Sequence, residues 1–148
     1  MKKIFNRKSI VRSLVLVFLL FAFLLPVSAR YGMGGATVYK GSTAIGDGYI
    51  WNDNNQSTFY TLYGEVYATT NDPGYISCSV YLTLQLYNSN TNQTFVAWSS
   101  NMTSNKYIST DCGYPIQDWI TPLKGTGNYN INISGVSYSN SSSHAWIP

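Results

Sequence analysis

The stretch SCSVYLTLQLYN, Ser77 to Asn88, alternates apolar and polar positions along its whole length. Cys78, Val80, Leu82, Leu84 and Leu86 share one parity; Ser77, Ser79, Tyr81, Thr83, Gln85 and Tyr87 share the other. Strand side chains point to opposite faces with period two, so this stretch predicts a strand with one buried and one wet face. The same reading extends along the chain. GGATVYKG (Gly34 to Gly41) predicts a first strand, and the Gly-Asp-Gly at 46–48 predicts a turn feeding a second around Tyr49 to Trp51. STFYTLYGEVYATT (Ser57 to Thr70) predicts a long strand with Gly64 as a candidate bulge, and NDPG (Asn71 to Gly74) a turn. Asn88 to Asn92 reads as a hairpin loop returning into QTFVAWSS, and Lys106 to Cys112 as a further strand.

Beyond Cys112 the pattern weakens. Pro115 and Pro122 argue against central strands between Gly113 and Gly127, and a short helical turn near Gln117 is a candidate. NYNINISGVSYS (Asn128 to Ser139) alternates again, with a change of parity after Gly135 that reads as a bulge within one strand. No stretch carries apolar residues at helical spacing with caps. Short strands separated by turn signals predict an all-β fold, an antiparallel β-sandwich or small barrel of about seven strands.

Residues 1–29 stand apart. Lys2, Lys3, Arg7, Lys8 and Arg12 precede an unbroken apolar run, Ser13 to Leu25, and small residues follow at Ser28 and Ala29. That order predicts a secretory signal peptide cut after Ala29, leaving one β domain over 30–148. The apolar run is shorter than the roughly 20 residues that cross a bilayer, so no membrane span is expected in the mature chain. Export makes the protein secreted or extracellular, and the long basic leader suits a bacterial signal.

Loss of the leader reverses the charge. The whole sequence carries +3, but only Arg30, Lys40, Lys106 and Lys124 remain against Asp47, Asp53, Glu65, Asp72, Asp111 and Asp118, a net of −2. Nucleic-acid binding, which needs clustered bases to displace phosphate counterions, is excluded. An oxidising compartment predicts a disulfide between the only cysteines, Cys78 and Cys112. Such a bridge, closing a loop of about 35 residues, is worth roughly 3–4 kcal/mol on the chain-entropy model. The order Cys78, Trp98, Cys112 is that of immunoglobulin domains, but the separations are too short for their bridge. No tyrosine precedes Cys112 by two positions either, and no family is assigned.

Catalytic chemistry finds little footing. The sole histidine, His144, lies four residues from the C-terminus and reads as a surface residue, with no GxSxG nucleophile turn to serve. The six acids show no sign of a convergent pair. Two cysteines and one histidine lack zinc spacing, and Asp47 to Asn55 offers oxygen ligands for a structural calcium without the spacing of a known calcium loop. No metal and no cofactor are expected.

The aromatic content is more telling: 13 tyrosines and four tryptophans, all beyond residue 29. Tyr81 and Tyr87 lie on the wet parity of their strand, and Tyr63 and Tyr67 are candidates to line a neighbour. Such rings stabilise sheets by cross-strand pairing, and they also provide stacking platforms for sugars and anchors for protein partners. Trp51, Trp98, Trp119 and Trp146 read as core or edge-plugging residues. Sequons occur at Asn55, Asn92, Asn101, Asn132 and Asn140. Together these features predict a non-enzymatic, secreted binding protein for an extracellular glycan or protein, the candidate ligand residues being Tyr63, Tyr67, Tyr81 and Tyr87. A secreted antagonist or bacteriocin-like toxin is the alternative.

Overall fold

The computed structural model describes residues 31–53 and 58–146. The leader, the sequon at Asn55 and the last two residues therefore lie outside it. The strands in chain order are β1 (Tyr31–Lys40), β2 (Thr43–Asp53), β3 (Phe59–Ala68), β4 (Ile76–Asn88), β5 (Gln93–Thr103), β6 (Tyr107–Pro115), β7 (Ile120–Ile133) and β8 (Val136–Ala145). They form two antiparallel four-stranded sheets, the first ordered β1-β2-β3-β6 and the second β5-β4-β7-β8. The expected all-β sandwich is what the chain adopts. Among the described residues no helix is long and apolar enough to cross a membrane.

The eighth strand comes from Asn128–Ser139, which divides into β7 and β8. Ser134 and Gly135 both take positive φ (51° and 89°), the signature of a two-residue type I′ hairpin turn. Asn132 Oδ1 accepts the Gly135 N–H at 2.9 Å and fixes that turn. The parity change read as a bulge is this turn.

Two other local expectations also change. Gly46 and Gly48 are not a turn; they lie inside β2, facing the core. A Cβ on Gly48 would enter the Tyr129 ring, and one on Gly46 would meet Ile131, so both glycines make room for β7. Gly64 likewise sits in regular register, with Leu82 over it. Pro122 does lie in a central strand, at a bulge where Gln85 pairs with Lys124 but Leu86 pairs with Pro122. The β7–β8 ladder starts only at Lys124, so the missing N–H leaves no gap between those two strands. Near Gln117 the chain makes a single turn, closed by Ile120 N to Gln117 O at 2.9 Å.

The alternation of β4 delivers Cys78, Val80, Leu82, Leu84 and Leu86 to the core, each nearly inaccessible. Val38, Ile45, Ile50, Leu62 and Val66 meet them from the first sheet. Each such side chain contributes about 1.5–3 kcal/mol by leaving water. Tyr129 is the largest wholly buried side chain, and burial pushes its phenol up to about 12 while its hydroxyl pairs with Ser142 Oγ at 2.6 Å. At the lateral seams, side chains tie the sheets together. Asn140 Nδ2 donates to Thr37 O at 2.7 Å between β8 and β1, and Asn101 Nδ2 donates to Ser109 O at 3.2 Å between β5 and β6. These bonds blunt edges that would otherwise invite a further strand.

The disulfide is corrected. Cys78 and Cys112 are both buried free thiols. Cys112 pairs with Leu62, Leu62 packs over Gly125, and Gly125 pairs with Leu84. Cys112 is thus level with Leu84, six residues along β4 from Cys78, or about 20 Å at strand rise. A disulfide needs Cα atoms about 4.4–6.8 Å apart. Both cysteines face the core, as their parity demands, but at opposite ends of it. Burial, with Asp111's charge adding, pushes the Cys112 thiol up to about 12, and burial raises that of Cys78. The reactive thiolate is correspondingly scarce. A thiol-specific chromogenic reagent is therefore expected to find no reactive group in the native protein and two after denaturation, with reductant leaving the melting temperature unchanged. A native mass lower by two hydrogens would contradict this register.

Candidate functional site

The wet parities of the strands build two outer faces of different character. On the first sheet, cross-strand register sets Trp51 beside Tyr63, Tyr49 beside Glu65, and Asp47 beside Tyr67 and then Tyr107. The rings pair in two near-parallel couples: Trp51 with Tyr63 at 5.7 Å and 14°, and Tyr49 with Tyr67 at 6.1 Å and 17°. The polar tips are occupied as well. Thr37 Oγ1 donates to Asp47 Oδ1 at 2.6 Å, and the Tyr107 hydroxyl donates to Glu65 Oε2 at 3.1 Å. Hydrogen bonding to Tyr49, then burial and the charge of Asp47, push the Tyr67 phenol up to about 12. Asp47, Glu65 and Asp111 share this face in different rows of a sheet surface. The face is largely a self-satisfied lattice of rings and carboxylates.

The outer face of the second sheet is open. Tyr81 on β4 is 40 % exposed and Trp98 on β5 is 64 % exposed, their rings 6.1 Å apart and inclined by 29°. Beside Tyr81 lies a shallow depression of about 470 Å³ whose polar side chains include Ser79, Ser100, Asn128, Asn130 and Ser139. Among the described residues no Lys, Arg, Asp or Glu lines it.

Among the described strand asparagines, Asn128 and Asn130 alone show no side-chain hydrogen bond. Asn88 caps its loop, Asn101 and Asn140 close the seams, Asn132 holds the β7–β8 turn, and Asn52 is engaged in the core. An amide that both donates and accepts, unspent beside an exposed ring, is the chemistry that recognises a sugar hydroxyl.

The four nominated tyrosines do not come together. Tyr63 and Tyr67 lie on the first sheet, Tyr81 and Tyr87 on the second. Tyr87 donates its hydroxyl to Asn92 Oδ1 at 2.7 Å and braces the β4–β5 loop, so only Tyr81 meets the depression. Trp98, read from the sequence as a core or edge-plugging residue, is instead an exposed ring beside the depression; Trp119, 42 % exposed, departs from the same expectation. The signal for Trp98 lay in the hairpin: pairing Asn88 with Gln93 makes Trp98 the neighbour of Thr83, on the wet parity. Trp51 is half-buried, and Trp146 packs edge-on to Tyr60. His144 is no free surface residue, since its Nε2 is buried without a hydrogen-bond partner. Among the described residues no three His, Cys, Asp or Glu gather as a metal centre would require, and the described part of the Asp47–Asn55 stretch belongs to β2. No family model, curated protein or solved structure matches the chain.

Proposed function

We propose that the chain is an exported, non-enzymatic β-sandwich that binds a glycan on the outer face of its second sheet. Tyr81 and Trp98 supply stacking surface, and Asn128, Asn130 and their serine neighbours supply hydrogen bonds. The observation that carries this reading is the set of unspent amides and hydroxyls lining a depression beside two exposed rings. A protein anchor site would be expected to place its aromatic residues in a desolvated apolar surround, whereas here Asn and Ser side chains border Tyr81, with Met102 the exposed aliphatic side chain among them. The leader predicted over residues 1–29 supports an extracellular place of work.

Affinity electrophoresis through gels containing cellulose derivatives, xylan, mannan or β-1,3-glucan tests the reading, with tryptophan emission followed in parallel. Retarded migration in at least one gel, with a change in emission as Trp98 is covered, is the expected result. Unaltered mobility and emission across neutral and charged polysaccharides alike would refute it.

A further inference from the structure

The shape of the depression says more about its ligand than that it is a sugar, provided the glycan reading above holds. Its polar lining falls in two cross-strand rows. In one row Ser100, Tyr81 and Asn128 are direct neighbours; in the other, Ser79 pairs with Asn130 and Asn130 with Ser139, while the exposed Met102 pairs with Ser79 on its β5 side. The lining therefore spans all four strands, from β5 to β8, but only two rows along them. Three strand spacings amount to about 14 Å, against about 7 Å for one step of two residues along a strand. The long axis runs across the strands. In that direction each row offers hydrogen-bonding side chains on three successive strands, every 4.8 Å or so. That interval is close to the repeat of an extended, equatorially linked sugar chain.

Charge narrows the class further. Among the described residues lining it, an anionic sugar would bring a carboxylate or sulfate to no cation, and a cationic sugar would meet no carboxylate; either loses hydration without a partner. Asparagine amides, donating and accepting at once, match hydroxyls that do the same. We infer that the ligand is a neutral, extended, β-linked polysaccharide lying across β5, β4, β7 and β8, stacked on Tyr81 and read by Asn128 and Asn130.

Isothermal titration of the purified protein with β-1,4-linked glucose and N-acetylglucosamine oligomers of two to six units tests this, with oligogalacturonates as the anionic comparison. Affinity for a neutral series is expected to rise with length to about three units, the span of the lining, and then level off. Asn128→Ala and Asn130→Ala are each expected to weaken binding about three- to tenfold with circular dichroism unchanged, while Ser77→Ala, on the same face but outside the depression, leaves it intact. A dimer that binds as tightly as a hexamer, a preference for the oligogalacturonates, or asparagine variants that bind normally would overturn the inference while leaving glycan binding standing. Failure of every neutral and charged oligomer to bind would remove the glycan reading itself, and this inference with it.

Discussion

Tyr129→Ala is expected to destabilise the protein by about 3–5 kcal/mol, the range for truncating a fully buried aromatic side chain. The ring is wholly inaccessible and lies where Gly48 of the opposite sheet leaves space for it, so it fills the volume between the sheets rather than one surface of it. Partial collapse cannot recover that volume, because the backbone of β2 is held on both sides by β1 and β3. The conservative Tyr129→Phe keeps the packing and removes the hydrogen bond to Ser142, at about 1 kcal/mol. The complementary change, Gly48→Val, puts a branched side chain into the same ring and is expected to be at least as damaging as the alanine truncation. Urea unfolding of the three variants measures all of this. An alanine variant within 1 kcal/mol of the parent would mean that Tyr129 does not bridge the sheets.

Loss of the exposed rings has the opposite signature. Trp98→Ala and Tyr81→Ala are each expected to weaken glycan binding by about tenfold or more, in the range of aromatic anchors at binding sites, with little effect on unfolding. Tyr63→Ala and Tyr67→Ala are expected to do the reverse. Each removes half of a near-parallel cross-strand pair, worth about 0.5–1.5 kcal/mol, from a face whose polar tips are already paired, and leaves affinity unaltered. Titration calorimetry and urea unfolding on the same four proteins separate the two roles. Affinity that falls with Tyr63 or Tyr67 and survives loss of Trp98 and Tyr81 would move the site to the first sheet.

The contrast shows how far pattern alone reaches. Parity is a local property, and it placed the β4 core residues, Cys78 among them, and Tyr81 on the right faces of their strand. Level along the strand and pairing between distant strands are not local. Cys78 and Cys112 share the core but sit about 20 Å apart along it, because β6 pairs with β3 while β4 pairs with β7. For the same reason Tyr63 and Tyr81, both on wet parities, end on opposite sides of the sandwich. Gly46 and Gly48 resemble turn residues in sequence, and only the approach of Tyr129 and Ile131 from the other sheet shows why they belong inside a strand. Asn128 and Asn130 carried no signal in a chain rich in asparagine. Their distinction is that neither side chain is used by the fold, which becomes visible once the other strand asparagines are seen at caps, turns, seams and core.

The most direct test is to map backbone amide shifts while titrating whichever polysaccharide retards the protein. Changes centred on Tyr81, Ser100, Asn128 and Asn130, with Trp51, Tyr63 and Tyr67 unmoved, are the predicted result. Changes confined to the face bearing Trp51 and Tyr63, with the second sheet silent, would contradict it.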